Sequence, residues 1–394
     1  MKKHVFIIGS RGLPAKYGGF ETFVEELVKH QQNPNIQYHV ACQSENSDLA
    51  GSDGHFDYLG ADCFAINVPN IGAARVIAYD ILAINASLKM VKEQQIEQPI
   101  FYILGNTIGG VIGRYARKIH KVGGQLFVNP DGLEWRRTKW AAPVRRYLKL
   151  AERKMVRYAD LIISDNVGIK DYLTAEYGKI SSKVIAYGTE QVISDLTNSP
   201  TLDKFAVKSD NYYLIVGRFV PENNYETLIR AFMMSESTRE LVIVTNYEGN
   251  AFYDELREKT QFDKDNRVKF VGTVYDQNEL RYIREHAFTY LHGHEVGGTN
   301  PGLLEAMWST PVNLVLNVNF NQQTAADSVL YFDKENLTEQ FTELENLTND
   351  QRQNLHRKAQ EMIKEKYTWQ HICAQYEEIF CSSSQSVAGD DDGS

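Results

Sequence analysis

Short apolar runs recur along the first half of the chain, separated by stretches whose apolar positions fall three and four apart. The runs predict strands at His4–Gly9, Tyr38–Gln43, Cys63–Val68, Ile100–Leu104, Leu126–Asn129, Leu161–Ser164 and Val184–Tyr187. The intervening stretches predict helices at Phe20–Gln31, Ala74–Lys92, Gly110–His120, Val144–Tyr158 and Val167–Tyr177. Around 191–211 the pattern lapses into polar residues and reads as a linker. It then restarts. Tyr212–Val216, Leu241–Thr245, Val268–Val271, Ala287–Leu291 and Val312–Leu316 read as strands. Glu226–Met234, Tyr253–Thr260, Asn278–Glu285 and Pro301–Trp308 read as helices, as do Gln351–Glu365 and Trp369–Phe380. Alternation of this kind predicts an α/β class with parallel, doubly wound sheets in two domains, 1–190 and 212–366, facing a cleft.

Within the second domain, the run from His292 to Val312 takes a strand through Gly297-Gly298 into a helix. Asn300 suits the N-cap and Pro301 the first helical position. Free N–H groups at Gly298, Thr299 and Asn300 would suit an anion. Glu305, one turn further in, would suit a ligand hydroxyl. Together these features suggest a nucleotide bearing a sugar. A plain strand–helix turn with a cap fits the local pattern equally well.

Composition narrows the class. The net charge of −9 argues against bulk nucleic-acid binding. The four cysteines form no CxxC pair, which argues against a zinc site and a disulfide framework and fits a reducing cytoplasm. The apolar run after His4 is too short for a signal peptide, and no run approaches the ~18 residues of a membrane span.

Three other strand ends carry candidate chemistry. Gly9 to Glu21 opens the first helix at Gly18-Gly19, with a glycine spacing unlike that of GxGxxG dinucleotide loops. Asn129-Pro130-Asp131-Gly132-Leu133-Glu134-Trp135 offers Asp131 and Glu134 as acceptors or bases, though Asp131-Gly132 also reads as a turn and Glu134 as the partner of an arginine. Gly217-Arg218 places a guanidinium where its fork of donors suits a diphosphate. His292, His294 and Glu295 could in principle hold a metal, but lining the site or satisfying backbone groups fits them better. The Asp390–Asp392 run is acidic in composition only. No GxSxG elbow is present.

These residues, in this order, resemble the retaining glycosyltransferases of family 4, which have the two-domain GT-B architecture. Gly18-Gly19, Gly217-Arg218, Gly298 through Glu305 with Ala306-Met307, Pro311-Val312 and Tyr367-Thr368-Trp369 each match a family feature. The loops Gly9–Thr22, Asn129–Trp135 and His292–Pro301 resemble more closely a branch of β-1,4-rhamnosyltransferases of Gram-positive capsule and cell-wall synthesis. That branch implies an enzyme moving L-rhamnose from dTDP-β-L-rhamnose to a hexose or N-acetylhexosamine on a lipid diphosphate. It also implies an N-terminal acceptor domain, a C-terminal donor domain and a final helix, 367–380, returning to the first domain. Residues 381–394 read as a disordered tail. Three positions depart from the family: Asn223 stands where it places a lysine, Gly297 where it places the first of two glutamates, and no histidine occupies the Asp131 region.

The resemblance implies that Gly18, Gly19, Arg218, Asn223, Gly298, Thr299, Asn300 and Glu305 bind the donor. Asp131 and Glu295 are the catalytic candidates, and no cofactor or metal is expected. Rival readings are a UDP-sugar donor, a nicotinamide oxidoreductase, and a non-catalytic nucleotide-sugar-binding subunit. The chain from Arg136 to Arg157 adds nine Lys or Arg against the single acid Glu152. Lys139, Arg145, Arg146 and Lys149 are therefore expected to meet the acceptor diphosphate or an anionic membrane, on the cytoplasmic face of the plasma membrane. Val144, Tyr147, Leu148, Ala151, Met155 and Tyr158 are expected to pack as one stripe, with Trp135 and Trp140 near the bilayer interface.

Overall fold

The computed structural model describes residues 2–16, 18–46, 54–136, 140–198 and 200–382. It divides into two compact units, one reaching to Tyr187 and including the last helix from Trp369, the other spanning Gly188–Thr368.

The first unit holds eight strands: β1 (Lys3–Ile8), β2 (Ile36–Gln43), β3 (His55–Tyr58), β4 (Ala61–Ile66), β5 (Ile100–Leu104), β6 (Gln125–Asn129), β7 (Leu161–Ser164) and β8 (Ser182–Val184). They lie in the order β3-β4-β2-β1-β5-β6-β7-β8. All pairs are parallel except β3 with β4. The central strands read as unbroken apolar runs because both faces are covered. Val5 and Ile7 pack with Phe23 and Leu27 of the first helix and with Ile372 and Tyr376 of the last. Phe6 and Ile8 point the other way, to Tyr79, Ile84 and Ile112. The last helix, Trp369–Ser382, is pinned at Glu377, which accepts from the backbone N–H groups of Gln32 (2.7 Å) and Asn33 (3.1 Å). The helix runs two residues into the segment expected as a tail, and residues 383–394 lie outside the described residues.

The second unit holds β9 (Tyr212–Val216), β10 (Glu240–Val244), β11 (Val268–Gly272), β12 (Thr289–His292), β13 (Asn313–Leu316) and β14 (Leu330–Phe332). Their order is β11-β10-β9-β12-β13-β14, all parallel. The stretch expected as a linker, 191–211, is packed structure instead. It contains the helix Pro200–Phe205, and Leu202, Phe205 and Val207 join the core around Tyr212 and Leu214. Ser194 N–H donates to Glu285 (2.7 Å). Its polar composition hid three anchoring apolar side chains.

Candidate active site

In each sheet the first strand in chain order sits inside the sheet, and the chain winds outward from it in both directions. The switch falls between β1 and β5 in the first unit and between β9 and β12 in the second. Open α/β sheets bind ligands beyond the carboxyl ends of strands at such a point. The candidate residues gather at these two places.

In the first unit a pocket of about 360 Å³ lies there. Gly18 and Gly19 form part of its wall, and only glycine fits at Gly18: φ is 129°, and a Cβ would fall 1.9 Å from Glu21 Oε2. Glu21 is buried and accepts from the backbone N–H of Arg11 (2.7 Å). Asp131 also lines it, with φ of 58°, a left-handed conformation costly for a side-chain-bearing residue. Its backbone N–H donates to Asn129 Oδ1 (3.0 Å), and its own Oδ1 accepts from Gly132 N–H (2.8 Å). Asn106 clamps the same loop by donating to the Pro130 carbonyl (2.5 Å). So Asp131 makes the turn that its Asp-Gly sequence suggests and also lines the pocket. Glu134 accepts from the Trp140 indole N–H (2.9 Å).

Trp135 and Trp140 line this pocket, not a bilayer-facing surface. Lys149 is also placed differently from expectation. It is bound internally, hydrogen-bonded to Tyr172, paired with Glu176 (3.1 Å) and Glu152 (3.4 Å), and held 4.5 Å from the Trp135 ring. Burial alone would lower its ammonium pKa, but the bonds to Tyr172 and Glu176 outweigh burial and raise it. The helix Ala142–Tyr158 buries Leu148, Ala151, Glu152, Met155 and Val156. Val144, Tyr147 and Tyr158 are instead exposed by more than a third, because the buried arc is centred on Leu148 and Met155. Arg145, Arg146, Arg153 and Arg157 are exposed, and among the described residues no carboxylate pairs with them. Lys139 lies outside the described residues.

In the second unit Arg218 follows β9, exposed and without a carboxylate partner among the described residues. Asn223 bridges two strand ends. Its Nδ2 donates to the Arg218 carbonyl (2.8 Å), and its Oδ1 meets His294 Nδ1 (2.7 Å). Close approach is possible because residue 293 is glycine, where a Cβ would fall 2.4 Å from the Asn223 carbonyl oxygen. Asn300 caps the helix Pro301–Ser309 by accepting from Gly302 N–H (2.9 Å), and Thr299 is buried beside it. The N–H groups of Gly298 and Thr299 precede this turn. His292 is buried, and burial and the neighbouring His294 hold its imidazole well below the usual histidine range.

Two acids have fixed partners. Glu305 Oε2 pairs with Arg284 (2.5 Å), a buried arginine on the helix Gln277–Glu285. Among the described residues no donor meets Glu305 Oε1. Glu295 accepts from Lys334 (2.9 Å) and Asn224 (3.1 Å). Burial pushes its carboxyl up, but these two bonds outweigh burial and leave it lowered. Sequence reasoning missed Arg284, whose position in an amphipathic helix gave it the look of a surface residue, and the Asn223–His294 contact. It noticed Glu152 only as a counter-charge. Among the described residues no group of three or more His, Cys, Asp or Glu could hold a metal ion, and no helix is long and apolar enough to cross a membrane.

The model of a domain of unknown function (DUF1972) matches residues 2–190, and that of the group 1 glycosyl transferases matches residues 202–368. None of the curated protein sequences matches the chain. Among solved structures, sucrose-phosphate synthase from Thermosynechococcus elongatus superposes with a TM-score of 0.78 at 15% identity, covering 97% of this chain and 99% of that one. A glycosyltransferase from Rickettsia africae gives 0.74 at 12% identity, covering 98% and 99%. HepE from Anabaena in complex with UDP gives 0.72 at 15% identity, covering 96% and 100%. At these identities the likeness concerns the fold. The chain thus carries a DUF1972 domain in its first half and a group 1 glycosyl transferase domain over residues 202–368, on two parallel-sheet α/β domains that match the GT-B fold.

Proposed function

We propose that this glycosyltransferase moves L-rhamnose, with retention, from dTDP-β-L-rhamnose to a hexose or N-acetylhexosamine on a lipid diphosphate, in bacterial surface polysaccharide synthesis. The observation that carries the reading is the contact between Asn223 and His294. Asn223 replaces the lysine usual in the wider family, and His294 belongs to the loop that resembles the rhamnosyltransferase branch. The two join at the β9/β12 switch point, so Asn223 and the branch-like loop act as one donor-side unit.

In this reading Arg218 and the N–H groups of Gly298, Thr299 and Asn300 take the charge that develops on the departing diphosphate. Glu305, steadied by Arg284, accepts from a hydroxyl of the nucleoside sugar. The acceptor hydroxyl attacks on the face the diphosphate leaves, and its proton passes to a leaving phosphate oxygen. Asp131 orients the acceptor in the pocket of the first unit. Glu295 supports the donor loop through its ion pair with Lys334. No divalent metal is required, because the guanidinium and helix N–H groups meet the phosphate charge.

A lipid acceptor requires work at a membrane surface. Arg146, Arg153 and Arg157 share one exposed face of the helix Ala142–Tyr158 with Leu150, which is 60% exposed. Each such cation contributes about 1 kcal/mol near an anionic leaflet. This arrangement supports reversible docking on the cytoplasmic face of the plasma membrane.

A UDP-sugar donor is the second reading, favoured by the UDP held in HepE. Thermal denaturation with dTDP, UDP, GDP and NAD separates the two. The proposal predicts the largest rise in Tm with dTDP. A larger rise with UDP favours the second reading, and a rise with NAD alone defeats both.

A further inference from the structure

Glu152 lies on the wall of the first unit's pocket with only 2% of its surface exposed. Among the described residues its contacts all fall on one oxygen: Oε1 accepts from Tyr177 OH (2.5 Å), Tyr172 OH (2.7 Å) and Lys149 Nζ (3.4 Å). Among the described residues no donor meets Oε2. Burial and Glu152 together push the Tyr177 hydroxyl above its ordinary pKa, so it remains a donor across the physiological range. Three donors on Oε1, from two helices, fix the side chain and leave Oε2 as the oxygen available to the pocket.

The surroundings say what kind of ligand that oxygen suits. Glu21, Asp131, Glu134 and Glu152 line the pocket, and Arg11 is the one cation among its described lining residues. An anion would meet the Glu152 carboxylate, whereas a neutral polyol offers hydroxyl donors to its Oε2. Trp135 and Trp140 supply aromatic surface for the C–H faces of a pyranose.

We infer that Glu152 Oε2 accepts a hydrogen bond from a hydroxyl of the neutral acceptor sugar, which makes Glu152 a specificity-determining residue. The inference rests on the glycosyltransferase reading with the acceptor in the first unit. Tyr172, Tyr177 and Lys149 are then positioning residues, acting through Glu152. A site built to bond a hydroxyl penalises the analogue that lacks it, because the buried acceptor is left without a partner.

The test is initial-rate kinetics on the full chain with a parent acceptor and its monodeoxy series. In the wild type, one monodeoxy acceptor is expected to show a KM about tenfold or more above the parent, the cost of one lost charge-assisted bond. In Glu152→Gln the parent KM is expected to rise to a similar level and the penalty on that analogue to vanish, with donor KM unchanged. The double variant Tyr172→Phe/Tyr177→Phe keeps the carboxylate but frees its rotamer. It is expected to raise the acceptor KM, keep donor KM, and remain informative if Glu152→Gln does not fold. A wild type that transfers sugar, with variants that keep the parent KM and the full deoxy penalty, overturns this inference alone. A wild type that transfers to no acceptor defeats the parent reading, and this inference with it.

Discussion

The imidazole of His294 donates from Nδ1 to Asn223 Oδ1 over 2.7 Å, and Asn223 Nδ2 donates to the Arg218 carbonyl over 2.8 Å. With Nδ2 committed to a carbonyl, Oδ1 must accept, which fixes the proton of His294 on Nδ1. Asn223 therefore contributes position, not charge. Asn223→Ala is expected to raise donor KM about tenfold, from the loss of bonds worth about 1 kcal/mol each. Asn223→Lys restores the family's usual residue but cannot accept from His294, so it is expected to be no better than alanine. Donor KM for the two variants checks this, and recovery of wild-type KM by lysine would contradict it.

Arg218→Ala should cut turnover by roughly 10²–10³-fold, the effect of losing about 3–4 kcal/mol of stabilisation where charge develops. Its Tm should hardly move, since the side chain is exposed and pairs with no carboxylate among the described residues. Glu305→Ala should lose comparable turnover and also stability, because it leaves the buried Arg284 without its partner. A fully buried pair broken this way costs about 3–5 kcal/mol. Glu305 is 40% exposed, so about 1–3 kcal/mol is expected after screening. Turnover and Tm measured together separate the two roles. Near-normal turnover in either variant would show that the donor lies elsewhere.

Asp80 is buried under the pocket-lining Thr107, whose hydroxyl donates to it over 2.9 Å. Burial pushes its carboxyl up to about 7 from an ordinary 3.8, and the Thr107 bond offsets this only in part. The unfolded chain releases this proton at lower pH than the folded chain does. The group therefore costs the fold increasingly as pH rises from about 4 to 7, reaching about 4 kcal/mol and levelling off above. Asp80→Asn removes the titration and keeps an acceptor for Thr107. The Tm advantage of the variant should be small at pH 4, grow to pH 7 and then stay constant. A pH-independent difference would contradict the account.

The proposed membrane docking would rest on Arg146, Arg153 and Arg157, since Lys149 is held by internal partners. Changing the three arginines to Glu should abolish flotation with anionic vesicles and slow transfer to a lipid acceptor. Transfer to a short water-soluble acceptor should be little affected. A triple variant that still floats would make this face a solvated one.

Most strands were legible because burial on both sheet faces leaves unbroken apolar runs such as Val5–Ile8 and Tyr212–Val216. Two were not. His55–Tyr58 is an antiparallel edge strand that alternates exposed and half-buried residues, and Leu330–Phe332 is three residues long. The helices Asn319–Ala325 and Leu337–Glu345 also passed unnoticed, the first being short and mostly polar. At the sites, glycine loops at strand ends announced Gly18, Gly19 and the 297–300 turn, since close backbone approach leaves a compositional mark. What remained illegible was which side chains converge. Nothing local ties Glu152 to Tyr172 and Tyr177, 20 and 25 residues away, or Asn223 to His294, 71 away. Those contacts depend on helix phase and sheet order.

The most direct test of the central claim is incubation of the full chain with dTDP-β-L-rhamnose, UDP-glucose or UDP-N-acetylglucosamine, each with a panel of lipid-diphosphate sugars, and mass analysis of the products. The account predicts addition of one deoxyhexose from dTDP-β-L-rhamnose, undiminished by EDTA. Addition of a hexose or N-acetylhexosamine from a UDP donor alone, or no transfer from any donor, would contradict it.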